Sequence, residues 1–372
     1  MPFGSEGVER NLVGLALSGG GFRASLFHVG AIWRLNEMGW LPRLDRISSV
    51  SGGSITAGVL ATAWEKLDFK GGVAQRFQEG LVEPILTFTK RKIDTPSIWK
   101  GLLTPGRSVA DVVVGQYRKH LFGDHGLQSL PDRPRFIINA TNLGTGSNWR
   151  FQKPYSGDYK IGLLQKHEFP IATAVAASAA FPPVLSPVVL DLNPKAFEKV
   201  EGAYLYEHEE LRRQVALADG GVYDNMGLEA IWKRCGTLLV SDAGGSPSMQ
   251  FGPKPLWHNQ LDRAYGLTIE QDRDLRRRVL AQDFILKKAY GAYWLISWPI
   301  EKFTVDGALK VDKSWSDRLA SIRTRLDPFT DEEQRRLINW GYALADAAVR
   351  KWVEPSQLKP GWPFPEWSLD QA

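Results

Sequence analysis

The chain has 372 residues, of which 43% are hydrophobic and 23% charged, so it can bury a large core. The net charge of +5 is small and evenly spread, which gives no reason to expect nucleic-acid binding. A single cysteine excludes an intramolecular disulfide framework. The amino terminus lacks a secretory signal, and prolines interrupt the longest uncharged stretch. We therefore expect a cytoplasmic protein with possible peripheral membrane contact, and export without a cleaved signal is the alternative.

Strands and helices alternate along the first two thirds of the chain. The predicted elements are strand 11–17, helix 22–38, strand 46–50, helix 55–67 and strands 135–142 and 236–243. The strands are short apolar runs, and the helices carry apolar residues at helical spacing. This alternation predicts an α/β fold with a mostly parallel sheet flanked by helices.

The region from about Leu256 onward has a different composition. It predicts a charged helix over residues 260–291, a strand over 292–300 and a final amphipathic helix over 330–352. We therefore divide the chain into a core over residues 1–250 and a C-terminal extension of helices and a strand over 251–372, packed on that core.

Three consecutive glycines, Gly19 to Gly21, separate the first predicted strand from the first helix. Gly19, Gly21 and Ala24 match a relaxed dinucleotide fingerprint, in which backbone N–H groups bind a pyrophosphate at a helix N-terminus. The fingerprint also expects an acidic residue after the next strand, where this chain has Ser51. Nucleotide binding is therefore an alternative that the sequence only partly supports.

Ser51 lies between the second predicted strand and the second helix, in the segment SSVSGGS. Small residues around a serine at such a turn are typical of the nucleophile elbow G-x-S-x-G, although Ser49 replaces the first glycine. A helix N-cap beside an ordinary turn is the alternative. Because acyl transfer needs a nucleophile and nearby backbone donors for the oxyanion, Ser51 and the glycine turn together favour a serine hydrolase.

Four segments resemble the patatin-like phospholipases, a family related in fold to the cytosolic phospholipase A group. The segments follow the family's order over about residues 12–245 and are SGGGFRA, SVSGG, ASAAFPPVLSP and ADGGVYDNMG. The resemblance implies a three-layer α/β/α fold and a lipid acyl hydrolase of phospholipase A or lysophospholipase type. The chain departs from the family pattern at Ser18, Ala24 and Ser49, which all keep small side chains.

The resemblance also implies a role for individual residues. Ser51 takes the place of the nucleophile, and Asp219 takes the place of the second member of a Ser-Asp dyad. The implied oxyanion site consists of the glycine turn and the cation that follows it, namely Gly19, Gly20, Gly21 and Arg23. The implied substrate is a phospholipid or another acyl-ester lipid, and no metal or organic cofactor is implied.

Other interpretations of these residues stay open. Asp219 precedes two glycines and is compatible with an ordinary turn, while Asp242 is a rival carboxylate after a predicted strand. His258 follows Ser51 and Asp219 in the chain order of an α/β-hydrolase, so a Ser-Asp-His esterase is the mechanistic alternative. A lipid-binding protein without activity is a further alternative.

Two further features concern metals and membranes. The histidines show no metal-ligand spacing. Residues 95–106 place Trp99 and two leucines between proline-marked ends, which makes this segment a candidate for an apolar lid or a membrane contact.

Overall fold

The computed structural model describes residues 9–93, 108–245, 252, 256–356 and 358–371. The candidate lid over residues 95–106 lies outside these ranges. Of the helices within them, none combines the length and the apolar composition that a membrane crossing requires.

A large mixed sheet forms the middle layer of the fold. The strands are, in chain order, β1 (Glu9–Leu17), β2 (Arg46–Val50), β3 (Phe69–Lys70), β4 (Val73–Ala74), β5 (Arg135–Asn142), β6 (Ser147–Phe151), β7 (Ser156–Asp158), β8 (Gly162–Leu164), β9 (Val188–Asp191), β10 (Phe197–Glu198), β11 (Gln214–Asp219), β12 (Cys235–Asp242) and β13 (Tyr290–Leu295). β3 and β4 pair with each other. The other strands form the large sheet in the order β10-β8-β7-β6-β5-β2-β1-β12-β13, with β11 paired to β5 and to β9.

Helices flank this sheet. They are α1 (Gly21–Glu37), α2 (Gly52–Ala63), α3 (Glu83–Thr89), α4 (Val109–Tyr117), α5 (Ile171–Ser178), α6 (Glu210–Arg213), α7 (Gly221–Asp224), α8 (Glu229–Trp232), α9 (Trp257–Ile285), α10 (Ser314–Ala320) and α11 (Asp331–Trp352). α1 packs against α2 and α11, and α8 packs on β1, β2 and β12.

The centre of the sheet is parallel. β5, β2, β1, β12 and β13 all run in one direction. Central parallel strands are covered on both faces, which explains why β2 and β12 are buried along most of their length. The predicted α/β fold with a mostly parallel sheet is confirmed, and antiparallel strands extend the sheet beyond β5.

The predicted helix over residues 260–291 is wrong at its C-terminal end. α9 ends at Ile285, and Tyr290 and Gly291 belong to β13. Lys287 has a φ angle of 55°, a left-handed conformation in which a helix stops. The strand predicted over residues 292–300 therefore begins and ends earlier, as β13.

The C-terminal residues share the sheet and the core of the earlier ones. β13 pairs with β12, and α11 packs along α1. Arg34 of α1 and Asp346 of α11 form a fully buried ion pair of 2.7 Å. Since a buried charge left without its partner costs about 3–5 kcal/mol, this pair makes the register of the two helices specific. The domain boundary at residue 250 stays a prediction.

Candidate active site

Ser51 lies on a sharp turn between β2 and α2. Its φ and ψ angles are 50° and −118°, a conformation that costs a non-glycine residue about 1–3 kcal/mol. The next residue must be small, because a Cβ on Gly52 would lie 2.0 Å from the carbonyl oxygen of Gly21. Ser51 is buried, with 8% of the residue exposed. This is the strained geometry that a nucleophile elbow requires.

The register of two strands on β5 brings Asp219 to Ser51. Val50, at the end of β2, pairs with Asn139, while Asp219, at the end of β11, pairs with Ala140. Because Asn139 and Ala140 are adjacent in β5, the ends of β2 and β11 meet along its edge. The residue after Val50 is Ser51, whose hydroxyl lies close enough to the Asp219 carboxylate to stabilise its charged form.

The Asp219 carboxylate is buried and accepts a hydrogen bond from the main chain. Burial raises its pKa from the ordinary value of 3.8 to about 6, and the Gly221 N–H and the Ser51 hydroxyl partly oppose this rise. The Gly221 N–H lies 2.7 Å from Oδ1. A carboxylate with a pKa near neutrality is a better proton acceptor than an exposed aspartate.

Ser178, at the end of α5, supports the turn at Ser51 through hydrogen bonds. Its Oγ accepts the Ser51 N–H at 3.0 Å and donates to the carbonyl oxygen of Asn139 at 2.6 Å. Two residues later, the carbonyl oxygen of Ala180 accepts the Asp219 N–H at 2.8 Å. Sequence reasoning gave Ser178 no role, since a serine in a small-residue segment carries no distinctive signal.

The glycine turn lies beside Ser51, at the start of α1. Gly20 and Gly21 have φ angles of 140° and 59°, which a side chain would strain. A Cβ on Gly19 would lie 3.2 Å from the Cβ of Ser51. The first N–H groups of a helix have no partner within the helix and carry its positive dipole end. Gly20 and Gly21 therefore present N–H groups suited to an oxyanion.

Gly19 differs from the other two glycines. Its N–H donates to the carbonyl oxygen of Asn225 at 2.9 Å. The single N–H of Gly19 therefore already has a partner in this structure, and its role as an oxyanion donor stays a prediction. Gly20 and Gly21 remain the candidate donors of the turn.

Arg23 also donates to the main chain. It is buried, and its terminal nitrogens donate to the carbonyl oxygens of Ala320 at 2.6 Å, Ile322 at 2.8 Å and Ala243 at 2.9 Å. Burial lowers its pKa to about 10, with a further contribution from the nearby Arg273. These three contacts anchor the helix that begins at the turn, and the role of Arg23 at the oxyanion stays a prediction.

Among the described residues, neither His258 nor Asp242 forms a hydrogen bond with Ser51. His258 is exposed on the first turn of α9, where its ring lies 5.8 Å from that of Trp257. Asp242 is buried and accepts hydrogen bonds from the Tyr293 hydroxyl at 2.7 Å and the Gly244 N–H at 2.9 Å. Across the described ranges, no group of three or more acidic, histidine or cysteine side chains is arranged to hold a metal ion.

The raised pKa of Asp219 predicts a pH-dependent stability. A folded pKa of about 6 above an ordinary value of 3.8 means that the folded state binds the proton more tightly. This contribution to stability is present at low pH and is lost as the pH rises through about 6, amounting to about 3 kcal/mol in total. Asp219→Asn keeps an acceptor for Gly221 but cannot ionise, so its stability relative to the parent should rise from pH 4 to about pH 6 and then stay level up to pH 8.

Urea unfolding of both proteins at several pH values measures this difference. Asp132→Asn is the matched control, because the Asp132 side chain is 90% exposed and its removal should give no such trend. If the difference in the free energy of unfolding between Asp219→Asn and the parent stayed constant with pH, burial would not raise the pKa of Asp219.

Comparisons with known proteins support one family. A sequence model of the patatin-like phospholipases matches residues 15–232. The fold is similar to that of human GIVD cytosolic phospholipase A2 in complex with methyl gamma-linolenyl fluorophosphonate inhibitor and terbium chloride, at 13% identity and a TM-score of 0.50. This match covers 90% of the chain and 57% of that chain. No match was found among curated proteins.

VipD from Legionella pneumophila is also similar, at 16% identity and a TM-score of 0.37, over 91% of the chain and 66% of VipD. The chain therefore spans less than two thirds of either solved chain. The family match covers more than half of the sequence and includes Ser51, Asp219 and most of the small-residue segments around them. The chain belongs to the patatin-like phospholipase family, a family of serine hydrolases that cleave lipid acyl esters.

Proposed function

We propose that the protein is a lipid acyl hydrolase of phospholipase A or lysophospholipase type that uses Ser51 and Asp219 as a catalytic dyad. The observation that carries this proposal is the register that places Ser51 beside the buried Asp219 carboxylate, whose pKa is raised by burial to about 6. Family membership supports an acyl-ester lipid as the substrate.

The reaction proceeds in two steps on these residues. Ser51 Oγ attacks the ester carbonyl carbon while its proton passes to Asp219, and the new oxyanion accepts hydrogen bonds from the Gly20 and Gly21 N–H groups. The bond to the alcohol then breaks, and the alcohol oxygen takes the proton from Asp219. In the second step water attacks the acyl-enzyme, gives a proton to Asp219, and releases the fatty acid as the proton returns to Ser51.

The charge balance explains how a carboxylate serves as base without histidine. Asp219 becomes neutral as the substrate oxygen becomes negative, so the net charge of the buried site does not change. The negative charge moves toward the N-termini of α1 and α2, which begin at Gly21 and Gly52. Helix N-termini stabilise a nearby anion, so the transfer is favoured by the fold itself.

Exposed apolar side chains next to Asp219 support an acyl chain as the substrate. Phe181 is 49% exposed and directly follows Ala180, whose carbonyl oxygen binds the Asp219 N–H. Tyr265 of α9 lies 5.6 Å from the Phe181 ring, and Trp257 on the same end of α9 is 75% exposed. We propose that this end of the molecule contacts lipid aggregates peripherally.

Incubation with a mixture of diacyl phospholipids and lysophospholipids, followed by mass spectrometry of the products, tests this function. We expect free fatty acid and the matching deacylated lipid from the parent protein and neither product from Ser51→Ala. Equal release by the two proteins, or none by the parent with any lipid, would count against the proposal. Nucleotide binding, the alternative for the glycine turn, is checked by a thermal-shift screen with dinucleotides.

Substitutions in the glycine turn should separate catalysis from folding. Gly20→Ala meets its nearest atom, the Ala243 carbonyl oxygen, at 3.1 Å and forces a left-handed φ on alanine. We expect it to redirect a donor and to raise the barrier by about 2.7–4 kcal/mol, a loss of about 10²–10³ in kcat. Gly21→Ala places a Cβ 1.7 Å from the Thr324 carbonyl oxygen, so it should lose stability as well.

Gly39→Ala is the matched control for backbone strain. Gly39 has a φ angle of 72°, and a Cβ there would have no neighbour within 4 Å. It should lower the melting temperature without changing kcat. If Gly20→Ala were as active as Gly39→Ala on a nitrophenyl ester, the turn would not bind the oxyanion.

A further inference from the structure

Asn225 follows α7 and contacts the glycine turn through its main chain. Its carbonyl oxygen accepts the Gly19 N–H at 2.9 Å. This bond fixes the first residue of the turn and leaves the next two N–H groups to the substrate. The main chain of Asn225 is therefore coupled to the oxyanion site through Gly19.

The side-chain oxygen of Asn225 lies beside Gly19 of the glycine turn and beside Gly221, which follows Asp219. A Cβ built on Gly19 would lie 2.3 Å from Asn225 Oδ1, and a Cβ built on Gly221 would lie 2.5 Å from the same atom. The first of these positions is 3.2 Å from Ser51 Cβ, and the second is 3.0 Å from Asp219 Oδ1. The amide group is thus adjacent to the glycine turn, to Ser51 and to Asp219.

This amide is available to a ligand. Asn225 is half-buried, and among the described residues its side chain has no hydrogen-bond partner. A side-chain amide carries two N–H donors and one acceptor, which proteins normally satisfy when the group is enclosed. Within the part of the chain that the structure describes, no hydrogen bond holds the amide oxygen in place, so the group can rotate about its terminal bond and present its N–H donors to the reacting ester where Oδ1 now lies.

The turn that carries Asn225 is rigidly held. The buried Asp224 carboxylate accepts the Met226 N–H at 3.1 Å and the Glu229 N–H at 2.8 Å. Arg276 of α9 lies 3.6 Å from the same carboxylate. Residues on both sides of Asn225 are therefore fixed, so its main chain holds the amide at the site before substrate binds, as electrostatic stabilisation of a transition state requires.

We propose that Asn225 is a further catalytic residue, whose side-chain amide donates a hydrogen bond to the ester carbonyl oxygen as that oxygen becomes the oxyanion, beside the N–H groups of Gly20 and Gly21. This inference rests on the proposed function. The hydrogen bond strengthens as charge develops on the oxygen, so it lowers the barrier more than it improves substrate binding.

Asn225→Ala and Asn225→Asp test the proposal, because both keep the main-chain carbonyl that holds Gly19. Asn225→Asp preserves the volume but replaces the donor with an acceptor. We expect kcat on a nitrophenyl ester to fall by about 10²–10³ in Asn225→Ala and by at least as much in Asn225→Asp, with KM changed less than about threefold. Should Asn225→Ala fail to fold, the isosteric Asn225→Asp carries the test.

A thionoester substrate tests the hydrogen bond itself. A purely structural role of Asn225 would leave the preference for the ester over the thionoester unchanged. Sulfur accepts hydrogen bonds more weakly than oxygen, so the parent should prefer the ester, and this preference should fall in Asn225→Ala because one donor is gone. Tyr223→Phe is the matched control, since it removes a hydrogen bond of 3.0 Å to Glu229 from the same turn. It should leave both kcat and the preference unchanged.

These outcomes distinguish the proposed role of Asn225 from the proposed hydrolase function on which it rests. A parent protein that hydrolyses no ester would overturn the proposed function. An active parent together with an Asn225→Ala variant that keeps kcat, or keeps the full preference for the ester, would overturn the role of Asn225 alone.

Discussion

Ser51→Ala should abolish ester hydrolysis and fluorophosphonate labelling while leaving the protein folded. The strained turn makes Ser51 the hydroxyl that faces the Asp219 carboxylate, and its removal deletes the attacking atom. Loss of the nucleophile in a serine protease costs on the order of 10⁶ in kcat, and a similar loss is expected here. Rates on a short-chain nitrophenyl ester, together with circular dichroism, measure both properties.

Ser51→Gly is the matched control for this variant. Alanine keeps the strain of a φ angle near 50°, whereas glycine adopts that conformation without it. Both variants should be inactive, and Ser51→Gly should unfold with a free energy about 1 kcal/mol higher than Ser51→Ala. Residual labelling of a folded Ser51→Ala protein would show that another residue is the nucleophile.

Asp219→Asn should lose nearly all activity at every pH, by on the order of 10⁴ or more in kcat/KM. An amide of the same shape keeps the hydrogen bond from the Gly221 N–H but does not accept the Ser51 proton. His258→Ala should keep most of the activity, because His258 is exposed and its ring contact is with Trp257. A stably folded but inactive His258→Ala protein would contradict the dyad in favour of a Ser-Asp-His triad.

The pH profile does not separate these two mechanisms. Activity should rise with pH and level off above about pH 6, because Asp219 accepts a proton only when ionised. A histidine base with an ordinary pKa of about 6.5 gives a similar curve. The comparison of His258→Ala with Asp219→Asn therefore carries the distinction.

Asp242 is a poor control for the same experiment. The Asp242 carboxylate is buried and accepts hydrogen bonds from the Tyr293 hydroxyl and the Gly244 N–H. Arg273, also buried, lies 3.9 Å from it. Removing the charge would weaken this pairing, so a loss of activity in Asp242→Asn would report on folding.

The sequence predicts those parts of the fold whose signals are local. The central strands are apolar runs, and their helices have a clear period, so β2 and β5 were predicted at their observed bounds. The turns at Gly19 and Ser51 were identified because glycine and serine must occupy them. The antiparallel strands beyond β5 are short and contain glycine and polar residues, which gives them no comparable pattern.

The partners of the site residues could not be predicted, since they are distant in sequence. Arg23 binds the carbonyl oxygen of Ala320, almost three hundred positions away, and Gly19 binds that of Asn225. Both residues matched a family motif, yet the Gly19 N–H and the terminal nitrogens of Arg23 donate to the main chain. The meeting of Ser51 and Asp219 likewise depends on the register of two strands along β5, which no local pattern encodes.

Mass spectrometry of the parent protein after treatment with a fluorophosphonate tests the central claim most directly. The account predicts one covalent adduct, located on Ser51 by peptide mapping, formed quickly by the parent and much more slowly by Asp219→Asn, whose amide does not activate the hydroxyl. An adduct on a different residue, or no adduct on a folded protein that hydrolyses lipid, would contradict Ser51 as the nucleophile.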